Sequence, residues 1–184
     1  MEAHCKQTFH RARPCRTLMS HQHKIDNVQL HDLPNFATAL ITNMPASLVI
    51  GLVGTLGAGK TTLVQSIAES LGIDASDVTS PTFTLLQSHQ TKALRDDTND
   101  DLPHVLHHLD AYRLADEDEF LELGVDELFE ESGSWTLIEW ADRVEAVMPP
   151  GALWIRIEID DDNDARELIL STRSAKVAQG FLGL

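Results

Sequence analysis

No apolar run in this chain approaches the roughly twenty residues that a membrane-spanning helix needs, so the sequence offers no candidate span. Residues 1–24 hold no continuous apolar stretch either, so no secretory signal is expected and the cytoplasm is the expected compartment. Cysteine is scarce. Cys5 and Cys15 both lie near the start, and their spacing with His4, His10, His21 and His23 fits no standard zinc pattern. Basic residues are also few, 14 Lys and Arg against 29 Asp and Glu, for a net charge of −15. A surface of that sign repels the phosphates through which nucleic acids are mostly gripped, so direct binding of RNA or DNA is not expected. Simple solubility, or docking on a basic protein partner, is compatible with it. There is no internal repeat and no sign of a second domain.

The charge is unevenly spread. Residues 1–24 carry five basic groups (Lys6, Arg11, Arg13, Arg16 and Lys24) against the single acid Glu2. That segment reads as a disordered extension, as a transit-like leader, or as a start placed upstream of a true one at Met19. Residues 25–184 are expected to form one domain with its own core. Leu33, Phe36, Ala37, Leu40 and Ile41 recur at helical spacing, which predicts a helix over 34–43. Ser47 to Val53 is a continuous apolar run, as in a strand buried on both faces. Thr61 to Leu71 again has helical spacing and Gly72 caps it. Further on, the pattern predicts strands over 81–87, 104–109 and 135–138, and helices over 116–123, 125–131 and 141–147. Residues 153–159 and 166–171 alternate as a hairpin would, and 173–182 form a terminal helix. Residues 89–103 read as a polar, mobile loop. Strands alternating with helices argue for an α/β sandwich. With Gly-Thr-Leu-Gly-Ala-Gly-Lys-Thr at 54–61 between a buried strand and a helix, the expected fold is a P-loop NTPase-like three-layer sandwich, its central sheet mostly parallel with antiparallel edge strands.

The strongest local signal is Gly54-Thr55-Leu56-Gly57-Ala58-Gly59-Lys60-Thr61: glycine, four residues, glycine, lysine, then a hydroxyl residue. Glycines let the backbone bend so that successive N–H groups point at phosphate oxygens, and the helix that follows adds its positive end. Gly54, Leu56, Gly57, Ala58, Gly59, Lys60, Thr61 and Thr62 are therefore the candidate phosphate-binding residues. Lys60 would reach the β- and γ-phosphates, and the Thr61 hydroxyl would bind Mg²⁺.

Such a cradle also needs a carboxylate at the end of a neighbouring strand. Asp110 closes VLHHLD and Glu139 closes WTLIE. Either could hold Mg²⁺ or orient an attacking water, and each alone also reads as a helix N-cap or a solvated charge. Ser80-Pro81-Thr82 follows the loop's helix, where hydroxyls could sense the γ-phosphate, or where a plain proline turn would do. His108 and Asp110 share a strand face, open to a metal pair or to a structural histidine. Arg113 and Arg166 are candidate charge stabilisers, or surface ion pairs. Trp140 follows Glu139 and should point to the opposite face, as core or contact surface, and Phe83 is core. A GTP-binding switch would need Asn-Lys-x-Asp and Asp-x-x-Gly segments, and neither is present. A P-loop small-molecule kinase would need an arginine-bearing lid, for which 89–103 offers only Lys92 and Arg95. A module that binds nucleotide without turnover is disfavoured by the two acids.

Taken together, GTLGAGKTT, SPTFTL, HHLDAYRL, ELGVDELF and LIEWADR resemble the TsaE family, the small bacterial ATPase of tRNA threonylcarbamoyladenosine (t6A) biosynthesis. The likeness runs from about residue 30 to about 172 in the family's order and spacing. It implies ATP and Mg²⁺ as cofactors, weak ATPase activity alone, and the proteins TsaD and TsaB as partners. TsaD would make the modification at the adenosine next to the anticodon, so that tRNA is met only through the complex. By motif, Gly54 through Thr62 would hold phosphates, and Thr61 and Glu139 would place Mg²⁺. Asp110 would take the Walker-B-like position, Ser80 to Phe83 a switch-like segment, and Arg166 a nucleotide contact. Catalysis would fall to Lys60, Asp110 and Glu139. One departure is Thr55, where the family usually has Asp.

Overall fold

The computed structural model describes residues 21–81, 85–92, 102–160 and 164–184. Seven strands form one sheet in the order β1-β7-β6-β2-β5-β4-β3. Their ranges are β1 His21–Val28, β2 Leu48–Gly54, β3 Leu86–Gln90, β4 Val105–Asp110, β5 Ser134–Glu139, β6 Leu153–Ile159 and β7 Arg166–Thr172. The centre, β6-β2-β5-β4, is parallel, while β3 runs antiparallel on one edge and β7 and β1 on the other. The mostly parallel sheet with antiparallel edges is thus present.

Burial follows position in this sheet. Central β2 and β5 are buried along nearly their whole length, as strands covered on both faces must be. In β6 and β7 burial alternates residue by residue, because helices cover only one face there. That face carries α1 (Leu33–Asn43), α2 (Lys60–Ser70) and α5 (Ala175–Gln179). Leu40, Leu63, Val64 and Ile67 pack there with Leu52, Ile155 and Leu168. The opposite face holds α3 (Glu117–Leu121) and α4 (Val125–Glu130), whose Phe120 and Val125 pack on Val49, Leu109 and Ile138. Trp135 is fully buried and its indole donates to the Pro45 carbonyl at 2.9 Å, so its polar atom is satisfied in the core.

Several elements differ from expectation. The sheet begins at His21, inside the segment read as an extension; residues 1–20 lie outside the described residues. The sequence of β1, HQHKIDNV, buries only Val28, which is why no strand pattern shows in it. The strand expected from Pro81 starts at Leu86, with Thr82, Phe83 and Thr84 outside the described residues. Most of the expected polar loop, residues 93–101, also lies outside them. Ala141 to Val147 forms two 3-10 turns rather than an α-helix, since Trp140 takes a left-handed φ of 58° and breaks the entry. The terminal helix is shorter than expected and passes into a 3-10 turn at Gly180–Gly183. No helix among the described residues is long and apolar enough to cross a membrane.

Candidate functional site: a glycine-rich loop facing two carboxylates

The parallel strands β2, β4 and β5 all end at one edge of the sheet, and the glycine-rich loop leaves β2 there. Gly59 has φ 110°, a conformation only glycine adopts easily, and it turns the chain straight into α2. No side chain caps α2 among the described residues, so its first-turn N–H groups are left to point into the cleft. An uncapped N-terminus behind a tight loop is a ready anion site. Gly54 sits where a Cβ would come within 2.6 Å of the Ile157 carbonyl oxygen, so the loop's base presses directly on β6.

Lys60 is 5% exposed and its Nζ donates to the carbonyls of Gly54 (2.9 Å) and Thr55 (3.0 Å). The ammonium also lies 3.8 Å from the centre of the Trp140 ring. Burial pushes the Lys60 pKa below its ordinary value, while Glu139, Asp110 and Asp142 pull it back up. The Thr61 hydroxyl donates to the Glu139 carboxylate, 2.8 and 2.9 Å from its two oxygens. Glu139 is 2% exposed and also receives His108 Nε2 at 2.9 Å. Asp110, 3% exposed, accepts from Ser80 Oγ at 2.9 Å and from the Tyr112 amide at 2.8 Å.

These groups line one cleft of about 290 Å³, formed by Gly57, Gly59, Lys60, Thr61, Thr62, Ser80, Asp110 and Glu139, with Leu56, Tyr112 and Trp140 at its mouth. Leu56 is 86% exposed at the loop tip, whereas Ala58 is buried under the loop. Arg166 does not line the cleft. It is buried behind the loop, where Nε donates to the Ala58 carbonyl at 3.4 Å and NH1 donates to the Asp164 carbonyl. Arg113 is exposed outside the cleft, and Thr82 lies outside the described residues. The structure ties His108 to Glu139 rather than to Asp110, and His107 bridges Ser88 and Glu131.

Two aromatic residues complete the site in ways the sequence does not disclose. Tyr112 and Trp140 pack with tilted rings, centres 4.9 Å apart, over the Lys60 side of the cleft. Tyr112 has a sequence signal, its place two residues after Asp110; Trp140, expected to face away from Glu139, lines the same cleft because its left-handed turn breaks the strand alternation. The oxygen donors here, Thr61 Oγ and the carboxylates of Glu139 and Asp110, suit a hard divalent cation that keeps part of its water. Among the described residues there is no cluster of three or more His, Cys, Asp or Glu that could cage a metal unaided. A cation at this cleft would therefore share its shell with a ligand.

The family model for threonylcarbamoyl adenosine biosynthesis protein TsaE matches residues 28–168. The chain belongs to the TsaE family. Two proteins named tRNA threonylcarbamoyladenosine biosynthesis protein TsaE are among its relatives. That of Bacillus subtilis is 41% identical over 120 residues, 65% of this chain and 66% of the relative. That of Rickettsia bellii is 32% identical over 130 residues, 70% of this chain and 81% of the relative. The crystal structure of YdiB from Bacillus subtilis superposes with a TM-score of 0.64 at 30% identity, covering 86% of this chain and 90% of that one. The TsaE match spans the loop, both carboxylates and the turn carrying Trp140.

Proposed function

We propose that this chain is a Mg²⁺-dependent ATP-binding and hydrolysing subunit of the machinery that makes t6A in tRNA, supporting turnover of a TsaD–TsaB transferase. The observation that carries the reading is the bond from Thr61, in the first turn of the phosphate-loop helix, to the buried carboxylate of Glu139. A hydroxyl and a carboxylate so joined beside an uncapped helix N-terminus are what a metal-bound triphosphate requires. ATP rather than GTP follows from TsaE membership and from the missing guanine-reading segments.

In this reading the loop amides and Lys60 hold the β- and γ-phosphates, Lys60 giving up the carbonyls of Gly54 and Thr55 to reach them. Thr61 and Glu139 would hold Mg²⁺, which when bound neutralises charge on the phosphate oxygens. Asp110, fixed by Ser80 and the Tyr112 amide, orients the water that attacks the γ-phosphorus as the bond to ADP breaks. Tyr112 and Trp140 cover the cleft and limit competing water. The net charge of −15 suits docking on a protein partner better than on tRNA phosphates, so tRNA is met through the complex.

The test is reconstituted t6A synthesis with TsaD and TsaB, together with a pull-down of those proteins with and without ATP. Lys60→Ala and Glu139→Ala should each abolish product while the protein stays folded by circular dichroism. Normal t6A yield from Glu139→Ala removes the proposed role.

A further inference from the structure

His108 sits in the middle of β4 with no exposed surface, a polar ring buried among the central strands. Its Nε2 lies 2.9 Å from Glu139 Oε1, and its Nδ1 has no hydrogen-bond partner among the described residues. A carboxylate only accepts, so the ring must place its N–H on Nε2 and present a bare Nδ1 on the other side. That tautomer leaves Nδ1 as a buried acceptor without a donor, whereas the other would deprive the Glu139 carboxylate of its N–H. The same face of the neighbouring β3 carries Gln87, directly across from His108 in register, and His89 two residues on. Gln87 Oε1 and His89 Nε2 are likewise buried without partners among the described residues, so neither of them is bonded to His108, whose ring is held from the Glu139 side. The ring is thereby committed to Glu139.

Glu139 needs such a clamp. It is the last residue of β5, and the chain departs at Trp140 in a left-handed turn, so the backbone beyond it does not fix its side chain. Its other donor, Thr61 Oγ, is the atom that would turn a lone pair toward a cation. The bond from His108 is independent of that event.

From this geometry we infer that His108 is a positioning residue, which holds the Glu139 carboxylate in the direction a divalent cation needs. The inference rests on the proposed Mg²⁺-dependent nucleotide site and names a residue that sets its metal affinity without touching metal or nucleotide. Loss of a partner that orients a metal-binding carboxylate typically weakens the metal about ten- to a hundredfold.

The experiment titrates a non-hydrolysable ATP analogue into the protein by calorimetry, first in EDTA and then across a MgCl₂ series. Wild type is compared with His108→Leu, His108→Gln and His108→Asn. The glutamine amide nitrogen can overlay Nε2 and donate to Glu139, whereas that of asparagine overlays Nδ1 and falls short. His108→Leu and His108→Asn should bind the metal-free analogue as wild type does, but need about ten- to a hundredfold more Mg²⁺ to reach the tight state. His108→Gln should stay near wild type. A role confined to packing would change metal-free binding as well, and would not separate glutamine from asparagine. Should His108→Leu fail to fold, the glutamine–asparagine comparison decides alone. Equal Mg²⁺ requirements in wild type and His108→Asn, or equal losses in His108→Gln and His108→Asn, overturn the inference. A wild-type protein whose binding is indifferent to Mg²⁺ overturns the underlying functional reading before any variant is compared.

Discussion

Replacing Glu139 by alanine and by glutamine separates the charge at the cleft from the packing around it. In Glu139→Ala, both donors lose their acceptor. Thr61 is partly exposed and rehydrates, but His108 is fully buried, and an unmet buried N–H costs about 1–3 kcal/mol. Removing a desolvated carboxylate offsets part of that cost. For a chain of this length, each kcal/mol moves the melting temperature by about 2–4 °C, so Glu139→Ala should melt up to roughly 10 °C below wild type. Glutamine keeps the shape: its amide oxygen accepts from His108 and its nitrogen donates to Thr61 Oγ. Glu139→Gln should therefore melt within about 4 °C of wild type, a loss of no more than about 1 kcal/mol. Both variants lack the charge that a divalent cation needs. Thermal melts with and without Mg·ATP read the difference. At a hundredfold excess over Kd, ligand adds about 2.7 kcal/mol to the wild type, a shift of roughly 5–10 °C. Neither variant should gain the Mg²⁺-dependent part of that shift. The reasoning fails if Glu139→Gln melts as low as Glu139→Ala, or if it keeps the full Mg²⁺-dependent shift.

Two further outcomes follow from the loop. Burial lowers the Lys60 pKa below the ordinary 10.5, so in the alkaline window beneath 10.5 the unfolded chain binds more protons than the folded one and stability rises with pH. Nucleotide affinity runs the opposite way, because phosphates beside Lys60 restore its charged form, and binding should weaken as pH climbs through that window. Calorimetry in buffers of different ionisation enthalpy should register proton uptake in wild type and none in Lys60→Met; equal uptake in both contradicts the assignment. Gly54→Ala drives a Cβ to 2.6 Å from the Ile157 backbone oxygen and 3.1 Å from Ala58 Cβ, neither of which is a flexible side-chain end. Overpacking of that kind costs about 1–3 kcal/mol, and the shifted loop should lose phosphate affinity, so a variant with wild-type melting and binding would refute the close contact.

What was legible in the sequence is what local pattern determines. The phosphate loop is contiguous, so the residues that must bend and the residues that must bind are adjacent in the chain. The strand β2 is buried on both faces and reads as a plain apolar run, and β4 and β5 each carry enough apolar residues before a closing acid to read as strands. Edge strand β1 was not legible, because it is half exposed and its pairing with β7 is set by the hairpin partner rather than by its own residues. The two carboxylates were legible as strand ends, but local pattern left open which one faces Thr61, and only the family resemblance paired Thr61 with Glu139. That depends on strand order: β5 lies beside β2 and β4 lies one place further out, so Glu139 reaches the loop's helix while Asp110 meets Ser80. Arg166 shows the same limit from the other side. Its position at the start of β7 places the guanidinium behind the loop, against the Ala58 carbonyl, and only the sheet topology says so.

The same strand order explains why the cleft should prefer a cation and an anionic ligand together. Asp110 and Glu139 are direct register partners across the parallel pair β4–β5. Register partners on neighbouring strands hold like charges side by side, and such charges repel. The fold limits this by turning the acids to different donors, Ser80 and the Tyr112 amide for one, Thr61 and His108 for the other. The nearby Lys60 relieves it only in part, since its ammonium is committed to two backbone carbonyls. A triphosphate arriving alone would meet the loop amides on one side and two carboxylates on the other. A cation arriving alone would find too few protein ligands. Each supplies what the other lacks, so their affinities are thermodynamically coupled, and the coupling is the same whichever binds first. On the proposed reading, the pair of acids that looks like a liability by itself is therefore the feature that would make metal and nucleotide a single ligand.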